Sequence, residues 1–128
     1  MKRAAAVVLA VSLALCVSAP ADAGKPKKTR PTDPGLNSVF WDPGRQQTGA
    51  EGLLGTAERC EADRVIRAFV LRGGVASPLD VTLSDDDGFW NVSGNTSPKP
   101  DAIKVKVERK QAGNTVCKRG TVTQTVNG

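Results

Sequence analysis

Several runs of the chain alternate apolar and polar residues with a period of two, the mark of a strand buried on one face. Ala102-Ile103-Lys104-Val105-Lys106-Val107-Glu108-Arg109-Lys110 is the clearest, with Ile103, Val105 and Val107 opposite Lys104, Lys106 and Glu108. Leu79-Asp80-Val81-Thr82-Leu83-Ser84 alternates as strictly, and residues 121–126 alternate again. Phe89-Trp90-Asn91-Val92-Ser93 places Trp90 and Val92 on one face. Residues 64–71 are rich in β-branched and aromatic types and align Ile66, Ala68 and Val70. These patterns predict one core lined by Ile66, Ala68, Val70, Val81, Leu83, Trp90, Val92, Ile103, Val105 and Val107. Lys104 and Lys106 are expected to face water.

The connections fit this picture. Asp85-Asp86-Asp87-Gly88 separates two of the runs and predicts a hairpin that pairs residues 79–84 with 89–93. Residues 94–101 form a polar loop with two prolines, residues 111–114 a turn, and Lys118-Arg119-Gly120 interrupts the strand that begins at Thr115. The stretch from Thr56 to Val70 is ambiguous. Residues 57–64 are good helix formers, but Gly49, Gly52 and Gly55 oppose a helix just before them. A short strand before Cys60, a turn near residues 61–63 and a strand over 64–71 is the leading reading, and a helix over about 56–70 the alternative. The fold class is all-β, an antiparallel sandwich of six to seven short strands.

The N-terminus reads differently. Met1-Lys2-Arg3, an apolar run from Ala4 to Val17 and Ala21-Asp22-Ala23 make a secretory signal peptide over residues 1–23. The apolar run, about 14 residues, is too short to span a bilayer. A lipid anchor would use Cys16, but Leu15 stands where a small residue is needed. Residues 24–50 are a basic Pro/Gly-rich leader with an aromatic anchor, and residues 51–128 the sandwich domain. The segment from Gly24 to Gly35 holds three prolines and the bases Lys25, Lys27, Lys28 and Arg30. Having almost nothing to bury, it is expected to be disordered or extended. It serves as a spacer or as a basic arm toward anionic envelope polymers. Phe40 and Trp41 then form an apolar pair before the turn Asp42-Pro43-Gly44. One of them is expected to pack on the domain, the alternative being an exposed binding aromatic.

With the signal removed, Cys60 and Cys117 remain, and an even pair in an exported chain reads as one disulfide. It is expected to tie the first core strand to the last but one. The sequence has no histidine, so histidine-based triads, bases and metal ligands are excluded. No cofactor or metal is expected; the three aspartates fail the EF-hand spacing at Leu83 and Gly94, which leaves at most a weak Ca²⁺ site at the turn. From residue 51 onward 11 bases stand against 10 acids, so the domain is near neutral and no nucleic-acid face is expected. Asn91-Val92-Ser93 and Asn95-Thr96-Ser97 fit the glycosylation sequon, which carries no weight in a bacterial exporter.

Three marks carry a resemblance: Cys60 followed by Arg64-Val65-Ile66, the aspartate turn leading to Gly88-Phe89-Trp90-Asn91-Val92, and Cys117 before a polar last strand. Over residues 60–126 the chain resembles small secreted bacterial, mostly actinobacterial, sandwich domains of prealbumin-like or immunoglobulin-like type. The resemblance implies a stalk, adhesion or recognition module without catalytic residues. The expected function is a secreted, non-enzymatic binding or envelope-associated module, monomeric, with an unknown protein or envelope polymer as partner. A small protease inhibitor presenting residues 95–100 is the alternative, and a small hydrolase a more distant one.

Overall fold

The structure is a computed structural model, and it describes residues 27–127. The signal segment, Cys16 and Lys25 lie outside the described residues. Ten strands follow in order: β1 (Lys28–Arg30), β2 (Leu36–Asp42), β3 (Gln47–Leu53), β4 (Val65–Arg72), β5 (Val75–Leu83), β6 (Phe89–Asn95), β7 (Ala102–Val107), β8 (Lys110–Ala112), β9 (Thr115–Cys117) and β10 (Gly120–Thr125). One 3₁₀ turn, Glu58–Cys60, precedes β4. The all-β class therefore holds, and the helix alternative over 56–70 does not. The strands form a four-stranded sheet ordered β10-β7-β4-β5, a three-stranded sheet β2-β3-β6, and a small sheet β1-β9-β8. One buried cluster joins the first two sheets: Ile66, Ala68, Ile103, Val105 and Val107 on one side, Ala50, Leu54, Trp90 and Val92 on the other.

Strands exceed the expected number because the leader supplies its own. A boundary at residue 50 would cut β3, and residues 28–35 are bound to the domain instead of hanging free from it. β1 runs parallel to β9, the one parallel pair among the described strands, with Lys28 opposite Thr115 and Arg30 opposite Cys117. Hydrogen bonds, not apolar burial, offset the ordering entropy here. Asp33 and Gly55 exchange backbone bonds of 2.9 and 2.8 Å, the Leu53 N–H donates to the Gly35 carbonyl, and the Lys118 N–H donates to that of Arg30. The prolines bring no donor to satisfy, and their carbonyls serve as acceptors. Pro31 accepts from the Thr56 hydroxyl and Pro34 from the buried Trp90 indole N–H at 2.8 Å. Gly120 makes room for this path, since a Cβ there would overlap the Thr32 carbonyl oxygen.

The aspartate turn is not a hairpin. β5 pairs with β4 and β6 with β3, so residues 84–88 carry the chain from one sheet to the other. Asp85 holds the turn by accepting from the Asp87 and Phe89 N–H groups. The register of β5 follows from the polar groups it must place. Ile66 and Ala68 on the core face of β4 stand opposite Thr82 and Asp80, while Val65 and Arg67 on the outer face stand opposite Leu83 and Val81. The inward side of β5 thus reaches the other sheet through Asp80, and just past its end Ser84 ties it to the entry of β4. Asp80 Oδ2 accepts from the Ser93 N–H of β6 at 3.0 Å, and Ser84 Oγ accepts from the Arg64 N–H while donating to the Glu61 carbonyl. Val81 and Leu83, expected in the core, are consequently 55% and 57% exposed. The other eight expected core residues are buried. Lys104 and Lys106 lie on the outer face as expected, but half-buried, with the Lys106 ammonium 5.4 Å from the centre of the Phe69 ring.

Arg64 is fully buried and has no carboxylate partner among the described residues. Its five N–H groups are all used. Nε and Nη2 donate to the Glu108 carbonyl, Nη2 also to that of Lys118, and Nη1 to the Cys60 carbonyl and the Thr32 hydroxyl. Burial lowers its pKa from the ordinary arginine value. Glu108 and Lys118 are the points where the chain leaves the four-stranded sheet after β7 and approaches it again before β10. The expected nine-residue run 102–110 accordingly breaks at Glu108.

Cys60 and Cys117 are bonded, 57 residues apart in sequence with Cα atoms 5.6 Å apart. At one end the bond reaches β9, the last strand but one as expected, but at the other it starts from the 3₁₀ turn and not from a core strand.

Two outcomes follow for stability. Val105→Asp should unfold the domain by burying an unpaired charge, while Val81→Asp should shift stability by less than about 1 kcal/mol; a thermal melt of both variants checks the register. Arg64→Met should cost about 3–5 kcal/mol by orphaning buried carbonyls, and Arg64→Lys should recover only part of it, since an ammonium has three donors where the guanidinium has five. Urea unfolding of the oxidised variants reads this directly. Equal midpoints for the wild type and Arg64→Met would sink the assignment.

Candidate functional site

The outer face of the four-stranded sheet presents apolar side chains to solvent. Leu83 of β5 stands opposite the half-buried Val65 of β4 and Val81 opposite Arg67, with the half-buried Phe69 and Leu71 further along the same face. Arg67, Lys104 and Lys106 lie on the same face. Arg67 stands directly opposite Lys106 across β4 and β7, a like-charge pairing that disfavours the sheet by itself. Glu108 eases it from one side, 3.9 Å from Arg67, with both side chains about half exposed. Thr121 and Thr123 of β10 continue the rows beside Lys106 and Lys104. An apolar strip bordered by cations and hydroxyls is suited to holding a partner, since its contiguous exposed apolar surface is costly to leave in water.

The opposite outer face, on β2-β3-β6, holds Phe40, Leu53 and Phe89. Leu53 and Phe89 are cross-strand partners, and the Phe40 ring lies over Gly49, where a Cβ would overlap it. Phe40 and Trp41, adjacent in sequence, thus part: Phe40 is exposed, and Trp41 is half-buried against the core. Of the expected surface cations, Lys27, Lys28 and Arg30 are exposed, the last two on β1. Strand geometry and not a free arm positions them.

A shallow depression of about 280 Å³ is lined by Arg45, Gln46, Asn95, Thr96 and Ser97. The loop beside it is braced at its base. Thr96 is buried, its N–H donates to the Gln46 carbonyl at 2.7 Å, and its hydroxyl meets that of Thr48 at 2.6 Å. Arg72 donates to the Pro98 carbonyl, and Pro100 is buried. Ser97, Pro98 and Lys99 remain exposed on this support.

Sequence reasoning missed Val81 and Leu83 as surface residues, because alternation marks two faces without saying which one is covered. It also missed Arg64, whose signal was a lone arginine at the entry to an apolar strand.

Among the described residues, no helix is long and apolar enough to cross a membrane, and no group of three acidic, cysteine or histidine side chains could hold a metal ion. A disulfide fits an oxidising compartment. No family model matches the chain, and neither a curated protein nor a solved structure matches it. The class defined by fold and covalent structure is a small all-β protein with one disulfide.

Proposed function

We propose that the protein is a secreted, non-enzymatic binding module that works outside the cell or at its envelope, of the prealbumin-like or immunoglobulin-like sandwich type. The observation that carries this reading is the exposed strip formed by Val81 and Leu83 beside Val65 and Phe69. A polar clasp through Asp80 and Ser84 turns these side chains outward and fixes them there. A hydrogen-bonded sheet carrying apolar side chains on its solvent face is preorganised for binding, because little further ordering is required when a partner docks. Export by a signal peptide cleaved after Ala23 belongs to the same reading.

The second reading, a protease inhibitor, is supported by the braced loop of residues 95–100, whose exposed tip rests on buried Thr96 and Pro100. It entails 1:1 complex formation with a protease and slow cleavage within residues 97–99.

Val81→Ser/Leu83→Ser should leave the melting temperature within a few degrees of wild type and reduce partner capture by about tenfold or more, the loss expected when apolar anchors leave an interface. A photo-crosslinker at position 81, used in the producing culture, should yield a discrete adduct. Absence of any adduct there, together with undiminished retention of the double variant in medium and envelope fractions, would remove the strip as the binding surface.

A further inference from the structure

The near neutrality of residues 51–128 conceals a separation of charge in space. The small sheet brings two basic segments together that are far apart in the chain. β1 carries Lys28 and Arg30, preceded by Lys27, and β9 leads directly into Lys118 and Arg119. The Lys118 N–H donates to the Arg30 carbonyl at 2.9 Å, so the two segments are in contact through their backbones. Lys28 and Arg30 are two residues apart on one strand, so both side chains leave the same face about 6.6 Å apart. Arg59, on the 3₁₀ turn, brings its Nη1 close to the β8–β9 turn at Gly113. All six of these cations are exposed. Acids in the neighbourhood are Glu58, Glu61, Asp63 and Glu108, yet the ion pairs among the described residues are only Arg45–Asp42 and Arg67–Glu108. Asp33 lies on the leader after β1, and the remaining acids, Asp42 on β2, Glu51 on β3, Asp80 on β5, Asp85 to Asp87 in the inter-sheet turn and Asp101 before β7, lie outside the small sheet.

The backbone beneath these cations is tied by a disulfide and by the buried Arg64. Cys117, next to Lys118, is bonded to Cys60, next to Arg59. The buried Arg64 guanidinium holds the carbonyls of Cys60 and Lys118 and the Thr32 hydroxyl. Cations that would be mobile on a free arm are thus held in one array, which lowers the entropy lost when they engage several anions at once.

From this charge complementarity we infer that the small sheet is a docking surface for a linear phosphodiester polymer of the cell envelope. The array is an exposed sheet and not an enclosed pocket, which suits a repeating polyanion better than a small anion. Three of its six members are arginines, whose planar forks match the paired oxygens of a phosphate group. The inference rests on the reading of the protein as an envelope-associated module, and its surface is distinct from the apolar strip.

Poly(glycerol phosphate) of defined length serves as the probe, titrated by fluorescence anisotropy against the oxidised protein over a range of salt. Arg30→Ser/Lys118→Ser/Arg119→Ser should weaken binding at least tenfold at low salt. It should also lower the slope of log affinity against log salt by about 2, as expected for three lost phosphate contacts on a flexible polyanion. Arg45→Ser/Lys99→Ser, which removes charge outside both the small sheet and the apolar strip, should bind like wild type. Equal losses in both variants would reduce the effect to net charge and overturn the site. So would an absence of wild-type binding, or tighter binding of a duplex nucleic acid of matched charge. Sedimentation with the producer's envelope separates the two levels of the argument. Wild type left in the supernatant refutes the envelope-module reading itself, whereas equal retention of wild type and the Arg30 triple variant refutes only this surface.

Discussion

A buried arginine holding neutral oxygens organises this fold. A guanidinium out of water is costly, and Arg64 offsets that cost by placing all five donors on acceptors from four segments of the chain. Those acceptors lie on the leader, on the 3₁₀ turn, after β7 and after β9. Three of the four are carbonyls where the backbone departs from a ladder, and the fourth, on the leader, is the Thr32 hydroxyl. The arginine therefore permits the chain to leave the four-stranded sheet, build the small sheet and come back. The Cys60–Cys117 bond encloses the same junction. In the chain-entropy picture a loop of that length restricts the unfolded state by about 4 kcal/mol, a large share of the ordinary stability of a small domain.

The leader is the segment that most depends on this junction. Alone it has no reason to order: it is short of apolar surface, and its prolines cannot form a ladder on both sides. Placed across the junction, it finds the Arg64 guanidinium, the Trp90 indole and the backbone of β9 waiting for acceptors or partners. Trp90 links this region to the core, since a fully buried indole N–H requires a partner and the Pro34 carbonyl supplies it. A deletion of residues 24–35 would therefore remove structure together with charge, and substitution of exposed cations is the cleaner way to separate the two.

The two candidate surfaces have a common origin in polar groups pinned inside the protein. Asp80 joins the sheets at the edge of the sandwich and Ser84 ties the end of β5 to the entry of β4, which turns Val81 and Leu83 to solvent. Arg64 and the disulfide hold the small sheet, which presents Lys28, Arg30, Lys118 and Arg119. In both cases an internal hydrogen-bond requirement decides what the exterior displays.

The all-β class, the disulfide partners and most of the core were legible in the sequence. Period-two alternation over residues 102–107 and 65–71 is a local property of the pleat, and the two cysteines beyond the apolar N-terminal run, Cys60 and Cys117, can pair with each other in only one way. Which face of β5 meets the core was not legible. Alternation is symmetric until something breaks the tie, and here Asp80 did so through β6 and Ser84 through the entry to β4. The aspartate turn misled for a related reason, because a turn sequence specifies a reversal of the chain and not whether the returning strand joins the same sheet. The cationic array was invisible in the same sense: Arg30 and Lys118 are separated by most of the domain in sequence, and only the parallel pairing of β1 with β9 places them side by side. Local chemistry determined which segments became strands; long-range hydrogen bonds, with Arg64 at their centre, decided which strands met and which residues were left facing outward.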